Sequence, residues 1–176
     1  DITEGFTMQY TWTVPHDFGG YVERAGRDLL LNRLDSLFTI ELPEDIPGAH
    51  DIWGRIGGYW HGNEPCHHVT YLYDWFGQPW KCQKWVRYVA DNFYGNEPGS
   101  LSGNDDCGQM SAWHIFNCLG FYPFCPGADE YYIGSPCVKG LKVRLSDGGT
   151  LEMTTEGWSK DAVYVKAAYL NGKRLD

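Results

Sequence analysis

The spacing of apolar residues changes between residues 125 and 130, and this change constrains the fold more than any other feature of the chain. Up to about residue 125, apolar residues recur at helical spacing in stretches separated by long loops. From about residue 130, apolar and polar residues alternate, which is typical of strands with one buried face. The chain is therefore predicted to be mainly α with a β tail, with a helical region over 1–128 and a C-terminal β-strand region over 129–176.

Glycine and proline residues bound most of the predicted elements. The predicted helices are 28–38, 65–76, 79–93 and 107–119. The predicted strands are 141–145, 151–153 and 163–167, with hairpin turns at 147–149 and 171–172. Two further segments, 41–62 and 94–104, are rich in glycine together with proline or asparagine, and they predict long loops of the kind that often carry function.

The composition excludes some partners and favours others. A formal net charge of −9 argues against a nucleic-acid partner, because binding phosphates requires a basic surface. No apolar run reaches the roughly 18 residues that a membrane-spanning helix needs. The chain is rich in Trp and Tyr, whose flat apolar faces with one polar tip suit sugar rings. An aromatic-rich core is the simpler explanation for any single Trp.

The six cysteines include no CxxC pair, so the sequence does not predict a zinc site. Cys118 and Cys125 are close enough in sequence to close a short loop through a disulfide. Free buried thiols are an equally good interpretation.

Two adjacent carboxylates, Asp105 and Asp106, stand at the start of the predicted helix 107–119. Asp106 with Gln109 matches a capping box, so a structural role is the simpler interpretation. A single cap does not require two acids, however. Because a helix N-terminus favours the ionised form of a carboxyl group, the position also suits a general base.

A second polar segment contains Asn63, Glu64 and His67 around Pro65, which marks the first turn of a helix. Asn63 is then either a helix cap or part of a cation site. Oxygen donors of this kind favour Ca²⁺, for which imidazole is an unusual ligand.

Near the N-terminus, Glu4 is surrounded in sequence by Phe6, Tyr10 and Trp12. Apolar surroundings raise the pKa of a carboxyl group, which is the property a general acid needs. The alternative is an exposed glutamate with no catalytic role.

These segments and several shorter motifs occur in one order along the chain. They are Glu4-Gly5, 9–12, Pro15-His16-Asp17, 62–65, His67-His68, 71–73, 77–80, 103–113, 120–123 and 133–136. In this order they resemble glycoside hydrolase family 92, whose members are calcium-dependent, inverting exo-α-mannosidases that often act on α-1,2-linked mannose.

The resemblance implies a role for each candidate residue. Glu4 would be the general acid, and Asp106 the general base, assisted by Asp105 or Asn104. Calcium would be held by Asn63, Glu64 and His67. The mannose-binding residues would be Trp12, Asn63, Glu64, His68 and Asn104.

The resemblance also implies an architecture and a location. The chain would be the later part of an (α/α)6 barrel followed by antiparallel C-terminal strands. A β-sandwich domain of the same enzyme would precede it, the substrate would be a mannose-containing glycan, and the enzyme would be extracytoplasmic. Two alternatives remain open: a carbohydrate-binding remnant without turnover, and another helical-barrel hydrolase such as an inverting glucosidase.

Overall fold

A computed structural model describes residues 5–43 and 54–175 of the chain. The predicted order, with helices first and most strands later, is confirmed. The α-helices are α1 (Thr7–Tyr10), α2 (Phe18–Ala25), α3 (Arg27–Thr39), α4 (Leu72–Trp75), α5 (Pro79–Asn92) and α6 (Gln109–Leu119). Short 3-10 turns lie at Pro15–Asp17, Glu64–Cys66 and Val69–Tyr71. No helix in the described ranges is both long and apolar enough to cross a membrane.

The strands of the described residues form antiparallel pairs. The pairs are β1 (Arg55–Ile56) with β2 (Tyr59–Trp60), β3 (Phe121–Tyr122) with β4 (Tyr132–Ile133), β5 (Gly140–Arg144) with β6 (Thr150–Thr154), and β7 (Ala168–Leu170) with β8 (Lys173–Leu175). The β3–β4 pair crosses the boundary drawn between 1–128 and 129–176. The division into those two regions stays a prediction.

The predicted continuous helix over 65–76 is wrong. The structure instead has two 3-10 turns followed by the single turn of α4. All side chains from Cys66 to Tyr73 are buried. The segment therefore has no solvent-facing side. Its backbone follows the packing of the surrounding core, and it forms short turns in place of one regular helix.

The predicted strand over 163–167 is also wrong. Ser135 donates its hydroxyl hydrogen to the Val163 carbonyl, and the Val165 N–H donates to Oε1 of Gln83 at 3.1 Å. Because these backbone groups bond to side chains elsewhere in the fold, they do not form a ladder with a neighbouring strand. The strand begins later, at Ala168.

The sequence interpretation missed α2, which contains two adjacent glycines that lower helix propensity. Tertiary packing offsets that cost, because Phe18 and Val22 on this helix are buried. The Asp17 side chain also accepts the Gly20 N–H at 3.1 Å and so caps the first turn.

The core lies between α3, α5 and the segments that carry the candidate site. Phe38 of α3 stacks on Trp85 of α5 with ring centroids 4.9 Å apart, and it also stacks on Tyr59 at 4.9 Å. Trp12 and Trp113 have no exposed surface. Part of the aromatic content is therefore structural, as the simpler interpretation held.

A buried arginine joins the helical part to the tail. Arg87 of α5 is 3% exposed, and its guanidinium donates to the carbonyls of Pro136, Lys160 and Ala162. Hydrogen bonds from a charged donor are among the stronger ones in proteins. This side chain therefore fixes two tail segments against one helix.

The buried carboxyl group of Asp74 should make the stability of the protein fall as pH rises. Burial raises the pKa of Asp74 from its usual 3.8 to about 7, and the neighbouring Cys82 thiol offsets only part of this shift. The folded state therefore holds a proton that the unfolded chain releases near pH 4, so stability is lost as the pH passes from about 4 to about 7. We expect Asp74→Asn to remove about 2–4 kcal/mol of this dependence.

Calorimetric unfolding midpoints between pH 4 and pH 8 would measure the effect. Asp129→Asn is a matched control, because Asp129 is exposed and lies outside the helices and strands. An equal pH dependence in wild type and Asp74→Asn would contradict the prediction.

Candidate functional site

Numbered along the chain, the first polar segment (described from residue 5 to 17) and the second (61–68) lie against each other. Nδ2 of Asn63 donates to the Tyr10 hydroxyl at 3.2 Å, and Nε2 of His68 donates to the Trp12 carbonyl at 2.7 Å. These bonds hold the Asn63–Glu64 turn beside α1 and the chain that follows it. Residues far apart in the sequence thus form one surface.

The third polar segment (103–113) meets the second at a pair of glycines. A Cβ atom on Gly103 would overlap the carbonyl oxygen of Gly62 and lie 3.1 Å from the Gly62 Cα. Only glycine lets the two backbones approach this closely. The contact brings Asn104, which follows Gly103, close to Asn63, which follows Gly62.

A chain of hydrogen bonds beneath this surface contains His61, which the sequence interpretation did not select. The Tyr94 hydroxyl donates to the Met110 carbonyl at 3.1 Å, so Nε2 of His61 must donate to the Tyr94 oxygen at 2.6 Å. Nδ1 of His61 then accepts from the Tyr59 hydroxyl at 2.8 Å. Burial lowers the pKa of His61 well below its usual value, which agrees with this neutral tautomer.

His67 links the hydrogen-bond chain of His61 to α6. Its Nε2 donates to the His61 carbonyl at 3.1 Å, and its Nδ1 accepts from Nε2 of Gln109 at 3.2 Å. The Trp113 indole N–H donates to the His67 carbonyl at 3.0 Å. Burial lowers the pKa of His67 to about 4, despite the opposing hydrogen bond to the His61 carbonyl. Both ring nitrogens therefore already have protein partners.

The two adjacent aspartates have different surroundings. Oδ1 of Asp105 accepts the Ser111 N–H at 2.9 Å, so Asp105 caps α6. The capping box predicted for Asp106 and Gln109 is wrong, because α6 begins at Gln109 with Gly108 as its N-cap. Asp106 is exposed instead and adopts a left-handed backbone with φ of 43°.

Left-handed backbone continues through Cys107 and Gly108, at φ of 60° and 91°. Such conformations in residues other than glycine are strained, and they concentrate at functional sites. The strained turn directs the Asp106 carboxylate to solvent while Asp105 holds the helix.

The other predicted site residues differ in exposure. Asn104 is exposed, Asn63 is buried and Glu64 is partly buried. Trp12 and His68 are buried beside each other, and the predicted general acid Glu4 lies outside the described residues. Within 5–43 and 54–175, no three His, Cys, Asp or Glu side chains cluster as metal ligands.

The sequence interpretation gave Gln109 only a capping role and gave Tyr94 and His61 none, because their contacts join residues far apart in the sequence. His61 alone had a local signal, since it directly precedes the Gly62-Asn63-Glu64 motif. No spacing pattern connects it with Tyr94.

Comparisons with known proteins agree with the resemblance seen in the motifs. Residues 1–176 match the glycosyl hydrolase family 92 catalytic domain. The chain is similar to the family 92 α-mannosidase BT3965 from Bacteroides thetaiotaomicron, solved in complex with mannoimidazole, with a TM-score of 0.96 and 64% identity over 100% of this chain and 23% of that chain. It is also similar to the family 92 inverting mannosidase BT2199 of that species, with a TM-score of 0.80 and 37% identity over 98% of this chain and 25% of that chain.

A more distant relative is an uncharacterized secreted glycosidase from Arthroderma benhamiae, 26% identical over 164 residues that make up 91% of this chain and 19% of that protein. The chain thus spans less than a third of the length of each of these relatives. Because the family match covers every residue, and the fold agrees with a family member at 64% identity, the chain belongs to glycoside hydrolase family 92.

Proposed function

We propose that the protein containing this chain hydrolyses terminal α-linked mannose, principally α-1,2-linked, with inversion at the anomeric carbon. The observation that carries the proposal is the convergence of the three polar segments, with Gly103 packed on Gly62 at their centre. In the proposed site, the Asp105–Asp106 turn stands beside the Asn63–Glu64 turn. The similarity to family 92 mannosidases supports mannose as the sugar.

Asp106 is the proposed general base, because its exposed carboxylate is free to meet a water molecule next to a bound sugar. Asp105 already accepts a backbone hydrogen bond, so it would assist by holding the turn and by adding negative charge. Asn104 would orient the sugar or the water from the same turn. Glu4 is proposed as the general acid on the strength of its motif alone.

The donor set of the Asn63–Glu64 turn fits a calcium ion. A carboxylate, an amide oxygen and the carbonyls of a tight turn are hard oxygen donors, which Ca²⁺ prefers. Asn63 and Glu64 would hold the ion directly. Both ring nitrogens of His67 already bond to protein groups, so His67 would contribute to the calcium site by fixing the position of the turn. Bound calcium would supply positive charge to the hydroxyl groups of the sugar.

Trp12 and His68 would form the floor of the sugar subsite. Both are buried, and the bond between His68 and the Trp12 carbonyl connects the first and second segments. Their proposed contribution is therefore the shape of the subsite, whereas Asn63, Glu64 and Asn104 would bond the hydroxyl groups of mannose.

The rest of the proposal concerns the whole enzyme. The helices would complete an (α/α)6 barrel, and a preceding β-sandwich domain would supply the other wall of the pocket. We propose an extracytoplasmic location, which agrees with the description of the Arthroderma relative as secreted.

Proton NMR during hydrolysis of an α-1,2-mannobioside tests the reaction. We expect β-mannose as the first product, at least a tenfold lower rate with excess chelator, and recovery of the rate when Ca²⁺ is restored. α-Mannose as the first product would contradict inversion. Mannoside binding without release would identify a carbohydrate-binding remnant, and calcium-independent release of glucose would identify a glucosidase.

A further inference from the structure

Cys118 and Cys137 lie where the last turn of α6 contacts the segment leading to β5. The Cys137 N–H donates to the Cys118 carbonyl at 3.1 Å, and the Gly134 N–H donates to the Gly120 carbonyl at 2.9 Å. The first of these bonds joins the backbones of the two cysteines directly, which places their Cα atoms roughly 5–6 Å apart. A disulfide spans about 4.4–6.8 Å between Cα atoms.

The side chains themselves face each other. Nε2 of His114 lies 3.6 Å from the Cys118 sulfur, and the Cys137 sulfur lies 3.9 Å from the Ser135 carbonyl oxygen. Each thiol is the neighbour that most strongly affects the pKa of the other, so the two sulfurs are close together. Both cysteines are thiols in the structure and are partly exposed, so a small oxidant can reach them.

The surroundings favour the thiolate form of Cys118. The hydrogen bond from the Cys137 thiol, followed by that from His114, lowers the pKa of Cys118 below its usual value, and the Arg87 guanidinium adds to the effect. Thiolate is the nucleophile in disulfide exchange. Cys118 is therefore the attacking member of the pair.

We propose that Cys118 and Cys137 are a dithiol–disulfide pair, oxidised by low-molecular-weight disulfides. The Cys118 thiolate attacks one sulfur of the oxidant RSSR, whose S–S bond breaks and releases RS⁻. The Cys137 thiol then loses its proton, and its sulfur attacks the Cys118 sulfur of the mixed disulfide, releasing a second RS⁻. The protein loses two protons and two electrons, and the oxidant becomes two RSH.

The bond would join the two structural parts of the chain. Its loop encloses β3 and β4, and it ties the C-terminal end of α6 to the start of the tail. Because a cross-link mainly restricts the unfolded chain, the oxidised form would resist unfolding at this junction. The inference does not depend on the proposed mannosidase activity.

Peptide mapping of the full-length protein, equilibrated in glutathione buffers of increasing oxidation, tests the pairing. We expect a digest prepared without reductant to contain one pair of peptides linked through Cys118 and Cys137. This linked pair should disappear when the digest is reduced. The exposed Cys107 should carry only glutathione. A Cys118–Cys125 link, or free Cys118 and Cys137 thiols in a buffer that modifies Cys107, would overturn the proposal.

Two variants test the order of the steps. In Cys137→Ser, Cys118 should accumulate as a mixed disulfide with glutathione, because no second thiol resolves it. In His114→Gln, alkylation of Cys118 by iodoacetamide at pH 7 should slow by about fivefold or more, with Cys107 as an internal reference. Unmodified Cys118 in Cys137→Ser would refute its role as the attacking thiol, and so would an unchanged rate in His114→Gln.

Discussion

Asp106→Asn should lower kcat for mannose release by about 10²–10⁴-fold while leaving the unfolding midpoint unchanged. The proposed general base contributes a factor of that order, and asparagine cannot accept the proton from water. The Asp106 side chain is exposed, and asparagine tolerates the left-handed backbone found there. Initial rates on an α-mannoside and a thermal unfolding scan would measure the two effects together.

The neighbouring Asp105 provides the matched comparison. Asp105→Asn keeps an oxygen for the Ser111 N–H, so it should retain the helix cap and lose less activity than Asp106→Asn. Asp105→Ala removes the cap and should cost about 0.5–2 kcal/mol of stability. If Asp105→Asn lowers kcat more than Asp106→Asn does, the proposed assignment of the base is wrong.

Gly103→Ala should lower activity by about 100-fold and also destabilise the fold. The added Cβ would overlap the Gly62 carbonyl, which is backbone and cannot swing aside as a side chain would. Separating the two loops displaces the Asp106 carboxylate from the Asn63–Glu64 turn, and a shift of about 1 Å at a catalytic site can cost a factor of this size. Overpacking of this kind costs about 1–3 kcal/mol.

Gly99→Ala tests whether the effect is specific to the contact. Gly99 lies in the same loop region, and a Cβ there meets nothing within 4 Å. This control should keep the wild-type rate and unfolding midpoint. Wild-type activity in Gly103→Ala would show that the approach of the two loops does not position the candidate site.

Local patterns predicted the elements whose stability is mainly local. Helices α3 and α5 appear within two residues of the predicted bounds, because one apolar face at helical spacing specifies each of them. The β5–β6 hairpin follows from alternation around the turn at Asp147-Gly148-Gly149. Elements with buried surroundings on every side, such as the segment from Cys66 to Tyr73, were not predictable in this way.

The candidate site shows the same division. The three polar segments and the resemblance to the family could be recognised from the sequence alone. Both depend only on residue types and their order along the chain. The sequence interpretation assigned the helix cap to Asp106, whereas the structure gives that bond to Asp105. The difference arises because Asp106, Cys107 and Gly108 all have positive φ, so α6 begins only at Gln109.

By itself, the sequence determined the family, the order of helices before strands, and the presence of two adjacent aspartates just before α6. Only the tertiary structure decided which residues meet: Gly103 with Gly62, His61 with Tyr94, and Cys118 with Cys137. The physical reason is that these contacts join segments through backbone approach and buried hydrogen bonds. Their formation depends on how the whole core packs, and no local periodicity records it.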